Sequence, residues 1–137
     1  MAREIFADTS GFYAILVADD DKHKHVLRVL KDARRQKRAF VTTDYVLDET
    51  ATLLKMRGFA HRITAFFEII DESRACRIEW MDSARFQETR AFFLKHGDQA
   101  WSFTDCMSFL VMKQLGLRDA LTKDEHFRQA GYNVLLK

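Results

Sequence analysis

The chain reads as an α/β domain built on a parallel sheet, and three observations predict this. Five short apolar runs alternate with segments of helical periodicity, the pattern of strands joined by crossover helices. The junctions after the first four runs carry Asp, Thr or Ser, residues that open helices: Asp8-Thr9-Ser10, Thr43-Asp44, Met81-Asp82-Ser83 and Thr122-Lys123-Asp124. A length of 137 residues, 47% hydrophobic and 31% charged, suits one globular domain with a sizeable core, taken here as residues 1–137.

In chain order, Glu4 to Ala7 is the first expected strand. It stops at Asp8-Thr9-Ser10-Gly11, where Thr9 or Ser10 is the expected cap of a short helix over Phe12 to Val17. Asp19-Asp20-Asp21 breaks the chain and can cap the helix that follows. That helix, Lys22 to Lys37, sets Val26, Leu27, Val29, Leu30 and Ala33 among Lys and Arg in an amphipathic pattern. Ala39 to Thr42 is the second strand. A helix then starts at Thr43 or Asp44 and runs to about Arg57, with Gly58 as its C-terminal stop. Phe59 to Glu72 is a further helix, and Arg77 to Trp80 is the third strand. Ala84 to His96 is amphipathic through Phe86, Phe92, Phe93 and Leu94, and ends at Gly97. The central helix opens at Ser102-Phe103-Thr104-Asp105, an [ST]-x-x-[DE] box in which Ser102 or Thr104 is the cap. It runs through Leu110, Val111, Met112 and Leu115, apolar on nearly every side, and stops at Gly116. Ala120 to Thr122 is the fourth strand, Glu125 to Gln129 a turn of helix, and Asn133 to Leu136 the last strand.

Composition excludes several classes. There are no prolines and only five glycines, so no linker or low-complexity segment divides the chain. No apolar run approaches the ~18 residues of a membrane span. The N-terminal stretch lacks the basic and apolar regions of a secretory signal, so a cytoplasmic chain is expected. Cys76 and Cys106 are expected as small core residues, not as a disulfide or a zinc site. A net charge of +2 permits nucleic-acid binding without arguing for it.

Ligands of open parallel sheets bind beyond the carboxyl ends of the strands. That rule gathers four acids. Asp8 follows the first strand, Asp124 follows the fourth, and Asp105 opens the central helix. In the helix after strand two, Glu49 shares a face with Tyr45, Leu53 and Met56, whereas Asp48 shares one with Thr52 and Lys55. Glu49 is therefore the inward carboxylate, and Asp44 is most simply a cap. Four carboxylates at one edge repel one another unless a cation is bound, and hard oxygen donors suit Mg²⁺ or Mn²⁺.

These stretches resemble the PIN-domain nucleases, and within them the VapC-like toxin ribonucleases. The similarity lies in Phe6-Ala7-Asp8-Thr9-Ser10, in Thr43 to Thr50, in Ser102 to Phe109, in Leu121 to Phe127 and in Gly131 to Leu135, in order over essentially the whole chain. The resemblance implies a sheet of order 3-2-1-4-5 flanked by helices. It also implies an endoribonuclease that uses Mg²⁺ or Mn²⁺, with Asp8, Glu49, Asp105 and Asp124 as its acidic quartet. Thr9 or Ser10, and Thr104, would be hydroxyl donors beside the metal. Asp8, Asp105 and Glu49 would be ligands, with Asp124 acting through water or by orienting a ligand. A small VapB-like antitoxin and a homodimer are the implied partners. The antitoxin tail would set a basic residue among the acids and apolar residues against Phe12, Leu16 and the Val46–Leu54 helix. Two other functions share this site: a nuclease for RNA maturation or structured DNA, and an RNA-binding module of the same fold that does not cut.

Arg118 and Lys123 are placed near the acidic edge as RNA contacts. His126 is assigned a structural or surface role. The Lys22-His23-Lys24-His25 cluster is assigned to a solvated face, and Phe66-Phe67 and Phe92-Phe93 to core or dimer packing.

Overall fold

The computed structural model describes residues 3–137. Its strands are β1 (Ile5–Ala7), β2 (Phe40–Thr43), β3 (Cys76–Glu79), β4 (Asp119–Leu121) and β5 (Asn133–Val134). Between them lie α1 (Thr9–Leu16), α2 (His23–Arg35), α3 (Asp44–Met56), α4 (Ile63–Glu72), α5 (Ser83–Lys95), α6 (Phe103–Leu115) and α7 (Glu125–Gln129). The sheet is parallel throughout in the order β3-β2-β1-β4-β5, as expected. The chain reverses direction across the sheet at β1, between β2 and β4, which makes the carboxyl ends of β1 and β4 the switch point.

Helices cover both faces, so the strands are apolar on both sides. Ile5 and Phe6 are adjacent in β1 and belong to different clusters. Phe6 packs with Phe66, Met107, Phe109 and Phe127 in the larger core. Ile5 packs with Ala14, Val26, Ala33 and Leu136 under α1 and α2. Alternation along one strand thus feeds two layers.

Several boundaries shift from expectation, for local reasons. Asp8 itself precedes α1 as its N-cap position, without a side-chain cap bond, so Thr9 and Ser10 lie inside the first turn. Thr43 caps α3, its hydroxyl accepting from the Val46 N–H at 3.1 Å. Asp44 is the first helical residue instead, and its carboxylate accepts from the Met81 N–H at 3.0 Å, tying α3 to the exit of β3. The expected Phe59–Glu72 helix is split into a short 3-10 turn, Ala60–Arg62, and α4. Ser102 is the cap of α6, and Asp105 closes the box by accepting from the Ser102 N–H. Gly116 ends α6 at φ 67°, the left-handed region that favours glycine. Both cysteines are free thiols, pushed up to about 11 by burial.

Gly11 is fixed by packing. A Cβ there would lie 2.2 Å from the Leu121 carbonyl oxygen. The same carbonyl accepts the Asp8 N–H at 3.2 Å. Gly11→Ala is therefore expected to push α1 off β4, costing about 1–3 kcal/mol as overpacking does and displacing Asp8. Urea denaturation checks it; an unchanged midpoint would contradict the contact.

Candidate active site

Asp8, Glu49, Asp105 and Asp124 converge at the carboxyl edge of the sheet. Asp8, Glu49 and Asp124 line one cleft of about 220 Å³, together with Thr9, Ser10, Tyr13, Leu53, Arg57 and Lys123. Asp105 stands beside it, close enough to Asp8 and to Asp124 to repel both. Asp8 is 4% exposed and Asp105 is 7% exposed. Burial, reinforced by Asp105 and Glu49, pushes the Asp8 carboxyl up to about 7 against the pull of the Thr9 N–H and the Thr122 hydroxyl. Burial also raises Asp105, with Asp124 adding to it, while the Ser102 N–H and His126 act the other way. No Lys or Arg pairs with any of the four acids among the described residues.

Hydroxyl groups hold these acids in place. The Thr9 hydroxyl donates to Glu49 Oε1 at 2.6 Å. Ser10 acts one step removed: its Oγ lies 2.9 Å from Thr122 Oγ1 and accepts the Lys123 N–H at 2.9 Å. Thr122 is the residue that sequence reasoning missed. Its hydroxyl donates to Asp8 Oδ2 at 2.9 Å and accepts from the Asp124 N–H at 3.0 Å, so one side chain orients two acids. The available signal was a threonine at the carboxyl end of β4, two residues before an Asp. Thr104 borders a groove with Asp48, Glu49, Thr52, Leu53 and Met56.

Three expectations are corrected. Glu49 lies on an open face, not a buried one, and only its link to Thr9 restrains it. Arg118 precedes β4 and sits at the amino end of the sheet, beside Arg3, Gly116 and Tyr132, away from the acids. Lys123 does lie at the cleft, where its Nζ reaches Asp21 at 3.5 Å. His126 is part of the acidic cluster: its Nδ1 is 3.1 Å from Asp105 Oδ2 and 3.5 Å from Asp124 Oδ1. Arg57, unremarked in the sequence, borders the same cleft and stacks on Tyr13, with 5.1 Å from the guanidinium to the ring centre.

A sheet of this order, with acids from β1, α3, α6 and the β4–α7 turn meeting at its switch point, is the architecture of PIN nucleases. The PIN domain family matches residues 5–132, and the chain belongs to that family. Among its relatives is the 23S rRNA-specific endonuclease VapC20 of Mycobacterium tuberculosis, 30% identical over 128 residues, 93% of this chain and 95% of the relative. The crystal structure of M. tuberculosis VapC20, described as a sarcin-ricin loop cleaving toxin, matches with a TM-score of 0.81 at 29% identity. That match covers 94% of this chain and 96% of the VapC20 chain. The chain is thus a VapC-like PIN endoribonuclease.

Proposed function

We propose that this protein cleaves structured ribosomal RNA in a divalent-cation-dependent reaction, as the toxin of a toxin–antitoxin pair. One observation carries the reading: three carboxylates line one cleft, a fourth, Asp105, stands beside it, and no Lys or Arg pairs with any of them among the described residues. The donor set fits Mg²⁺ or Mn²⁺. Every acid offers hard oxygen, and the pressure that holds Asp8 near 7 is relieved by positive charge. Asp8, Asp105 and Glu49 would hold the ion, with Asp124 completing the set through water or by orienting a neighbour. Bound there, such an ion lowers the pKa of water and stabilises charge developing on a phosphodiester.

The chain's own groups supply the rest. Thr122 keeps Asp8 turned into the cleft, and Thr9 does the same for Glu49. Lys123 and Arg57, both lining the cleft, offer cationic contacts to the phosphates flanking the scissile one. The test is to incubate the protein with 23S rRNA, tRNA and a flap DNA, with and without Mg²⁺, and map the ends. Cuts confined to rRNA and dependent on Mg²⁺ support the proposal. Preferential cutting of tRNA or flap DNA favours a maturation or DNA nuclease, and RNA binding without cuts favours a binding module.

The partner surfaces follow from what stays open. Leu16, Val46, Leu47 and Leu54 are at most 9% exposed, so the core uses them and an antitoxin tail cannot. An apolar cavity of about 350 Å³ lies instead between α2 and α4, lined by Phe12, Ile15, Leu30, Phe40, Ile69 and Ile70, with Arg34 and Arg38 at its rim. Its lining includes Ala7 and Leu121, which precede Asp8 and Thr122 in the chain, and a VapB-like tail lying there would continue past them to bring a basic residue to the acids. A cytoplasmic location accords with this pairing, and no described helix is long and apolar enough to cross a membrane.

A second open surface supports a homodimer. Phe86 and Phe93 of α5 are each 37% exposed and Leu94 is 70% exposed, the two rings lying 5.4 and 5.5 Å from Phe103. Contiguous apolar surface of this kind is disfavoured on a monomer. Light scattering is expected to give a dimer at micromolar concentration and a folded monomer for Phe93→Glu. A monomeric parent protein would contradict this.

A further inference from the structure

His126 is the second residue of α7, whose N-cap is Asp124. Its backbone N–H donates to Asp124 Oδ1 at 2.9 Å. Its ring lies over the neighbouring acid, with Nδ1 3.1 Å from Asp105 Oδ2 and 3.5 Å from Asp124 Oδ1. Ionised carboxylates only accept hydrogen bonds, so Nδ1 carries the proton, a tautomer assigned from its partners. Asp105 Oδ2 also accepts the Ser102 N–H at 3.1 Å. Two donors from opposite sides of the site, the start of α6 and the start of α7, therefore fix one oxygen of Asp105. Its Oδ1 takes no protein donor among the described residues, and Asp105 lies close enough to Asp8 for the two charges to repel. Asp105 and Asp124 repel each other, and one ring N–H lies within 3.5 Å of an oxygen on each.

We infer that His126 is a positioning residue: its Nδ1–H clips Asp105 Oδ2 to α7, leaves Oδ1 as the free oxygen, and thereby sets the affinity of the cleft for its divalent cation. This rests on the cation-dependent function proposed above. The ring belongs to no step of the cleavage itself. It acts by fixing the carboxylate plane, as the outer partners of metal-binding carboxylates do.

The test compares the full-length protein with His126→Phe and His126→Asn, reading free Mn²⁺ by electron paramagnetic resonance at one pH. The Phe variant keeps a ring and loses the donor, whereas the Asn side chain returns an N–H near the position of Nδ1. His126→Phe is expected to weaken Mn²⁺ binding about 10–100-fold, with His126→Asn recovering most of it. Turnover of the Phe variant should recover at high Mn²⁺. Melting in EDTA checks the fold, and His126→Ala repeats the comparison should the Phe variant melt early. Unchanged or tighter Mn²⁺ binding in His126→Phe would overturn the inference. So would an Asn variant as weak as Phe, which would make the ring nitrogen itself a ligand. If the parent protein binds Mn²⁺ and only these variants disagree, the role of His126 falls alone. If the parent takes up no Mn²⁺, the cation-dependent function falls and takes this inference with it.

Discussion

Asp8→Asn is expected to abolish RNA cleavage while making the cation-free protein more stable above pH 7. The activity loss should exceed the ~10–100-fold that loss of a supporting hydrogen bond costs, because Asn removes a formal charge from the centre of the acidic cluster at nearly constant volume. The stability gain follows from linkage. Burial first, then Asp105 and Glu49, raise the folded-state pKa of Asp8 from 3.8 to about 7. Between those values the folded protein keeps a proton that the unfolded chain has released. Stability contributed by the neutral carboxyl is thus full below pH 4 and is lost as pH rises through 7. At 1.36 kcal/mol per unit, about three units correspond to roughly 4 kcal/mol at most. Denaturation in EDTA should give equal stability for the two proteins near pH 4 and an advantage of a few kcal/mol for Asp8→Asn near pH 8. A parent protein that gains stability between pH 4 and 8 relative to the variant would contradict the buried, crowded carboxylate.

Chelation is the second large effect. Cleavage should stop in excess EDTA and return with Mg²⁺ or Mn²⁺. Stability supplies a readout independent of RNA. A ligand that binds only the folded state stabilises by about 2.7 kcal/mol at a hundred times its dissociation constant. Protons compete with the cation for Asp8, so the increase in melting temperature on adding Mn²⁺ should be larger at pH 8 than at pH 5. Full cleavage in EDTA would exclude the mechanism. An equal Mn²⁺ effect at both pH values would remove Asp8 from the cation site.

What the sequence made legible is what local physics encodes. Asp8, Asp105 and Asp124 sit at ends of elements, and an α/β topology sends those ends to a common edge. Ser102 and Asp105 form a cap that spacing alone announces. Sheet order followed from family resemblance, since strand periodicity carries no order. The misplacements come from distance along and across the chain. Arg118 is close to Asp124 in sequence, but the whole of β4 separates them, about 3.3 Å per residue, so they lie at opposite ends of the strand. Glu49 was assigned to the apolar stripe of α3, yet that stripe opens to solvent beyond Leu53, and Met56 is 79% exposed. Thr122 and His126 find their partners far away in sequence, Asp8 and Asp105, so a threonine two residues before Asp124 and a histidine two after it are weak signals on their own. The apolar residues of α5 were expected to serve core or dimer packing. Only Thr89 of that helix is buried, which leaves Phe86, Phe93 and Leu94 for an interface.

The proposal that these four acids hold one divalent cation is tested most directly by crystallising the protein with Mn²⁺ and collecting anomalous diffraction at the manganese edge. An anomalous peak within coordination distance of Asp8 and Asp105, with Glu49 and Asp124 directed at the same ion or its waters, is the expected result. Crystals grown in saturating Mn²⁺ with no peak between Asp8 and Asp105, or with peaks only at surface carboxylates such as Asp19, would contradict it.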